Sequence, residues 1–396
     1  METADKIAKG PIIGANHGEV QVTNSFRIML QVKSFSSAKV SSDDVDLIIS
    51  VYEVEEGNLK APKPVCESYV IENWKKTSAA RDTNGGCRVL FDGICKNDIT
   101  KKSLYLICNV VAQGNYTKHR TDVSSNENLG NIFFRKPAGV AARDITEIFT
   151  FRQNGHIKGD DTELFCPFLA GDEKECLETT FRKLVSDKNA KVEPKGLHCQ
   201  ISIIFGDVAL DNNYGVRVPE AKKLGLPEII LPSDVRNDLY VKIDSGEFSR
   251  LEKMQDRNTE LQMDVCDENG HRVRDAIFLG VGVEPKDSFK SVVYYHHAKP
   301  RWNEVVKITL PADQFQKCHL RFTFTHRSRK DENVPPYAMS FLKLVHDHDE
   351  TAIKDDTYEM IVYKIEKRVE VQNANFYLSM PYLKRGSTFK VVTHFY

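Results

Sequence analysis

The sequence has no long apolar run, no paired cysteine motif and no surplus of charge, and each absence removes a class of protein. No stretch approaches the roughly 20 apolar residues that a spanning helix requires, so the chain is expected to be soluble and at most peripheral to membranes. The opening residues Met1-Glu2-Thr3-Ala4-Asp5 show no basic segment followed by an apolar one, and do not read as a signal peptide. Lys and Arg total 55 against 56 Asp and Glu, a formal net charge of -1. Such a balance is not a field built for nucleic acid, so an anionic partner has to be met by a local basic cluster. The nine cysteines are odd in number and scattered, with no CxxC pair, which argues against zinc ribbons and thioredoxin-like chemistry. Cys108, inside Leu104-Tyr-Leu-Ile-Cys108, reads as a small core residue. A reducing, cytoplasmic setting follows from that usage.

Catalytic motifs are missing too. There is no GxSxG elbow, no GxxxxGK[ST] phosphate loop, no HExxH and no GxGxxG opening a helix. His296-His297 lies in a run that reads as a strand, where neighbouring imidazoles face opposite ways and do not share a metal. His346-Asp347-His348-Asp349 reads as a polar turn rather than a metal site. No enzyme, metal or cofactor is expected.

What the sequence does contain is short strands. A chain of 396 residues exceeds one ordinary core, and two domains are the first expectation. Strand-like apolar runs occur at Phe26–Val32, Asp46–Val54, Cys87–Phe91, Leu104–Val111, Ala138–Asp144 and Gln200–Phe205, with one helix-like stretch at Glu175–Val185. Pro227 and Pro232 mark an extended connector. Beyond it, Leu239–Ile243, Leu261–Val265, Ser291–His296, Glu304–Leu310, Leu320–Thr325, Tyr337–Val345 and Glu359–Tyr363 make about seven or eight further strands, a number suited to a sandwich. Asp267-Glu-Asn-Gly270 is a turn. The rhythm of Leu104–Val111 followed by Pro137–Ile145 is similar to that of Leu320–Thr325 followed by Pro336–Val345, as distant structural repeats would be. The fold class is therefore mainly β: a C2-type antiparallel β-sandwich preceded by a second, C2-like β-rich domain. The expected divisions are a flexible start over 1–22, the β-rich domain over 23–224, the C2-type domain over 225–385 and a tail over 386–396.

Two loops of the second domain carry the charge of interest. One offers Arg250, Lys253 and Arg257, and the other His326, Arg327, Arg329 and Lys330. The carboxylates of these loops, Asp244, Glu247, Glu252 and Asp256 in the first and Asp331 and Glu332 in the second, are interleaved with cations that would repel calcium. Arginine forks and lysine ammonium groups suit phosphate oxygens, although runs of this kind are commonly a solvated face.

Several ordered runs point to one family. Gly225-Leu-Pro-Glu-Ile-Ile-Leu-Pro-Ser-Asp-Val-Arg-Asn-Asp-Leu-Tyr-Val241, Phe289-Lys-Ser-Val-Val-Tyr-Tyr295, Pro300-Arg-Trp-Asn-Glu-Val-Val-Lys307, His319-Leu-Arg-Phe-Thr-Phe-Thr-His-Arg-Ser328, Ala338-Met-Ser-Phe-Leu-Lys-Leu344 and Glu359-Met-Ile-Val-Tyr-Lys364 follow one another in the expected order. Together they resemble the first homology region of the dedicator-of-cytokinesis (DOCK) family. The earlier half, for example Cys166-Pro-Phe-Leu-Ala-Gly171, resembles the preceding segment more loosely. The pattern is nearest the Rac- and Rap-directed branches.

The resemblance implies a C2-type sandwich that binds phosphatidylinositol 3,4,5-trisphosphate between its end loops, with Arg250, Lys253, Arg257, His326 and Arg327 at the headgroup. It also implies a parent that is a guanine-nucleotide exchange factor for a Rac- or Rap-type GTPase, with an engulfment-and-motility (ELMO) adaptor and recruitment from cytoplasm to plasma membrane. The exchange region of that family is missing from this sequence, which therefore resembles a membrane-targeting piece. The alternative is a scaffold with little lipid affinity.

Overall fold

The computed structural model describes residues 25–40, 44–55, 62–79, 87–95, 102–114, 134–150, 162–187, 189–205, 238–248, 257–327, 334–346, 351–365, 371 and 373–395. The first half is one long antiparallel sheet. Its strands are β1 (Ser25–Phe35), β2 (Asp44–Glu55), β3 (Lys63–Pro64), β4 (Tyr69–Ile71), β5 (Cys87–Cys95), β6 (Lys102–Gly114), β7 (Phe134–Asp144), β8 (Thr162–Ala170) and β9 (Glu193–Phe205). They run in the order β3-β2-β6-β7-β8-β9-β1-β5, with β4 also on β2. Alternation along β2 sends Leu47, Ile49 and Val51 to a core shared with Leu30, Val110 and Ile201, so the sheet curls until its two ends face each other.

Register shifts at Val110/Val111, at Pro167/Phe168 and at Val32/Ser34 supply the bends. At the first of them Gly139 is required. A Cβ there would lie 2.4 Å from the Leu169 carbonyl oxygen and 2.5 Å from the Phe168 ring.

The second half is a two-sheet sandwich. Its strands are β10 (Asp238–Gly246), β11 (Thr259–Cys266), β12 (Ile277–Phe278), β13 (Ser288–Lys290), β14 (Arg301–Thr309), β15 (His319–His326), β16 (Ala338–Lys343), β17 (Thr357–Met360), β18 (Tyr363–Lys364) and β19 (Phe389–Phe395). One sheet is β12-β14-β10-β19-β17 and the other β13-β11-β15-β16-β18. Leu239, Val241 and Ile243 from the first meet Leu261, Met263, Phe322 and Phe324 from the second in a dry core. The hairpin-like pairs β6–β7 and β15–β16, whose rhythm is similar in sequence, are both antiparallel neighbours.

The structure departs from the sequence reading in four places. Residues 386–396 are not a tail, because β19 lies between β10 and β17 and buries Phe389 and Val391 fully. Glu359–Tyr363 is not one strand but divides between β17 and β18 on opposite sheets. Thr162–Ala170 forms an unexpected strand in spite of Pro167.

Ser291–His296 is not a sheet strand. Ser291 still donates to the Leu261 carbonyl, but Val293 N–H then donates to Arg135 O at 2.7 Å and Tyr295 N–H to Glu173 O at 2.8 Å. The segment leaves its own sheet because the first half supplies its backbone partners. His296 sits at φ 47° with its ring stacked on Tyr295, centroids 4.0 Å apart, so the His296–His297 pair does not follow strand alternation. The helix expected at Glu175–Val185 is present over Leu177–Ser186. The connector around Pro227 and Pro232 lies outside the described residues, as do the whole start at 1–22 and the group Asp347–Asp349.

The halves interlock elsewhere as well. Val70 N–H donates to Val281 O at 2.9 Å and Val281 N–H to Ser68 O at 3.0 Å. Lys286 pairs with Glu72 at 2.7 Å, and Tyr240 donates its hydroxyl to Glu67.

Candidate anion site at the end of the second sandwich

Antiparallel pairing of β11 with β15 sets Thr259 opposite His326. The chain therefore enters β11 and leaves β15 at the same end of the sandwich, which brings Arg257 near His326 and Arg327. Of their seven residues, Arg257, His326 and Arg327 are described; Arg250, Lys253, Arg329 and Lys330 lie outside the described residues.

Asn258 organises this end. Its backbone N–H donates to His326 Nδ1 at 3.2 Å, its Nδ2 donates to Arg327 O at 2.9 Å, and its Oδ1 accepts from His296 N–H at 2.8 Å. One buried amide thus holds three loops. Nothing in the sequence marks it, since a single asparagine within a polar segment carries no periodic or spacing signal.

The three described cations differ in what they do. Arg257 lays its guanidinium over the Tyr337 ring, 4.3 Å from the centroid, and Tyr337 is fixed by a 2.9 Å hydroxyl contact with Thr259. That contact holds the guanidinium over the ring face at this end of the sandwich. His326 accepts at Nδ1, which leaves Nε2 to carry the proton of the neutral ring. Burial, then Arg257, then His296 hold its pKa below the ordinary value of 6.5. Arg327 is committed inward: its Nε donates to Glu260 Oε2 at 2.8 Å and its Nη2 donates to the same oxygen, cancelling a carboxylate that is only 3% exposed. It positions the loop and neutralises what would otherwise repel an anion.

The described carboxylates of the first loop also have cationic neighbours. Glu247 lies 3.1 Å from Lys299, and Asp244 lies 3.6 Å from Lys242. Among the described residues no group of three or more His, Cys, Asp or Glu side chains is arranged to hold a metal, and no helix is long and apolar enough to cross a membrane.

The strand order and its loop-borne cations define a C2-type module, preceded by a second β-sandwich. Family profiles match both parts: residues 12–208 match the DOCK N-terminus, and residues 232–394 match the C2 domain in Dock180 and Zizimin proteins. The chain belongs to the dedicator-of-cytokinesis family. It is 29% identical over 389 residues to human dedicator of cytokinesis protein 3, a match covering 93% of this chain and 18% of that protein. To mouse dedicator of cytokinesis protein 4 it is 28% identical over 373 residues, covering 91% of this chain and 18% of that protein. It thus spans under a fifth of the length of these relatives. Among solved structures, a C2 domain of a plant extended synaptotagmin 1 covers 41% of this chain, and 95% of that domain is matched, at 13% identity and a TM-score of 0.26. That likeness is too distant to add to the strand order.

Proposed function

We propose that this chain is the membrane-recruiting region of a DOCK-type guanine-nucleotide exchange factor, and that the end loops of its second sandwich bind the headgroup of phosphatidylinositol 3,4,5-trisphosphate. The observation that carries the reading is the convergence of Arg257 and His326 on one sandwich end, tied together through Asn258. Arg250, Lys253, Arg329 and Lys330 are the remaining cations of the same two sequence segments. Each cation close to an anionic leaflet contributes on the order of 1 kcal/mol, so a handful recruits the chain without an anchor. The chain itself is not assigned the exchange reaction. Its parent acts on a Rac- or Rap-type GTPase with an ELMO-type adaptor, moving from cytoplasm to the inner face of the plasma membrane.

The test is flotation of the chain with vesicles containing phosphatidylinositol 3,4,5-trisphosphate, its bisphosphate relatives or phosphatidylserine, at low and physiological salt. Selective recruitment by the trisphosphate that survives physiological salt is expected. Recruitment that follows lipid charge alone and vanishes with salt would refute a headgroup pocket.

A second reading has its own observation. Arg327 is closed on Glu260, and the segment carrying Tyr295 and His296 is bonded to the first half. Both fit a scaffold whose loops are built for packing, and absence of any flotation favours it.

A further inference from the structure

Alternation along β2 and β6 leaves a face that the first core does not use. While Leu47, Ile49, Leu106 and Cys108 enter that core, Ile48, Ser50, Ile107 and Asn109 point the other way. An ordinary outer face would be polar; this one carries apolar residues because Phe181 of the Leu177–Ser186 helix packs on Ile107 and the second half stands over Ile48. The two do not close completely. A cleft of about 570 Å³ remains, with Ile48 and Ile107 on its floor, Leu177 and Phe181 of the Leu177–Ser186 helix on one side, and β14 opposite.

Three features of this cleft point to an occupant. Val305, one of few large apolar side chains left more than a third exposed, lines it directly opposite Lys242 in the β10–β14 register. Asn303, also lining, adopts φ 50° where that register shifts, donates its amide to Glu178, and leaves Oδ1 buried with no hydrogen-bond partner among the described residues. A buried acceptor in that condition accepts from a water or from a donor on a bound molecule. Lys242 and Arg301 both line the cleft and turn to a single carboxylate, Asp244, at 3.6 and 4.0 Å, so one cationic charge is left over. The acids Glu304, Glu72, Glu178 and Glu260 in the same lining are already answered by Arg135, Lys286, Arg182 and Arg327, and Asp46 accepts from Gln113 Nε2 and Asn73 N–H.

A volume of a few hundred Å³ with an apolar body and few polar groups is what small-molecule sites have. We infer that the cleft between the two sandwiches binds a single-chain anionic amphiphile, its chain along Ile48, Ile107 and Val305 and its headgroup against Lys242 and Arg301. A long-chain carboxylate and a lysophospholipid phosphate share this chemistry. The cleft adjoins the loop end through Glu260, which lines it and pairs with Arg327, but the proposed headgroup contacts Lys242 and Arg301 are not residues of the candidate site at that end.

The experiment is a titration of the whole chain, without vesicles, with dansylaminoundecanoic acid, followed by competition with oleate, lysophosphatidate and zwitterionic lysophosphatidylcholine. Saturable binding at one probe per chain is expected, displaced by oleate or lysophosphatidate and not by lysophosphatidylcholine. Val305→Phe fills the cleft and Lys242→Glu reverses its charge, and each is expected to weaken binding by about tenfold or more with an unchanged melting temperature. If Val305→Phe melts early, Lys242→Glu decides. Absence of saturable binding, equal displacement by the zwitterionic lipid, or a Lys242→Glu variant that binds like the parent would overturn the inference.

Discussion

Arg135 Nη1 lies 2.6 Å from Glu304 Oε1 across the junction of the two sandwiches, although 169 positions separate them in the chain. The same arginine donates to Lys290 O at 2.7 Å, and the other oxygen of Glu304 accepts from Val292 N–H at 2.8 Å. Both side chains are largely screened from solvent, so the pair joins the halves through charge that neither half can easily leave uncompensated.

Removing one member follows from that geometry. Arg135→Ala leaves Glu304 unpaired at the junction and is expected to destabilise the chain by about 2–4 kcal/mol. Differential scanning calorimetry should show one transition for the parent and two for the variant, as the halves uncouple. A single unshifted transition would mean that the backbone bonds of Val293, Tyr295 and Val281 suffice without the ion pair.

The final strand is the next test. Phe389 is fully buried and packs edge-on to Trp302, Phe322 and Phe324, with centroids 6.3, 5.0 and 5.2 Å away. Phe389→Ala is expected to cost about 3–5 kcal/mol, read by urea denaturation. A loss below about 1 kcal/mol would mean that β19 is dispensable, as a tail would be.

That strand illustrates how far the residues alone could be read. Runs with clean apolar content, such as Leu104–Val111 and Leu320–Thr325, became β6 and β15, and the C2-type fold followed from runs in order. Phe389-Lys-Val-Val-Thr-His-Phe395 alternates as well, but a short run after Gly386 and Ser387 looks like a chain end until a partner strand is seen. β8 was hidden by Pro167, which falls where the β8–β9 ladder shifts register and so withholds no essential donor. Ser291–His296 failed for the opposite reason: its composition suits a strand, while its backbone partners lie in the other half. At the candidate site, Arg257, His326 and Arg327 were legible in the sequence as basic residues at the edges of two strands. The roles of Asn258 and Tyr337, and the inward turn of Arg327 onto Glu260, depend on pairing across β11 and β15 that no local pattern encodes.

Acid sensitivity should trace to a buried histidine. His319 is 2% exposed and its Nε2 lies 2.7 Å from the Tyr377 hydroxyl; burial first, then Arg321, push its pKa down to about 4. The unfolded chain, with a histidine near 6.5, therefore takes up a proton that the fold refuses between about pH 6.5 and 4. Stability is expected to fall as pH drops through that window, by up to about 3 kcal/mol, and to be indifferent to this group above it. In melting-temperature scans over pH, His319→Gln should flatten the slope below pH 6.5. An unchanged slope would assign the acid sensitivity elsewhere.

Headgroup binding should depend on pH in the opposite sense. In the free chain the pKa of His326 is lowered by burial and by the nearby charges of Arg257 and His296, while the Glu260 carboxylate is already matched by Arg327. A polyphosphate bound at this end opposes the first two charges and favours the imidazolium, so binding takes up a proton and affinity rises as pH falls. Flotation with trisphosphate-bearing vesicles is therefore expected to strengthen between pH 7.5 and 6. His326→Gln should remove the pH dependence while retaining most binding at pH 7.5. Arg257→Ala should weaken recruitment about tenfold at both values, since the charge-assisted contact it removes is worth roughly 1.5–3 kcal/mol. If Arg257→Ala floats like the parent, this end of the sandwich is not where the headgroup sits, whatever the vesicles recruit.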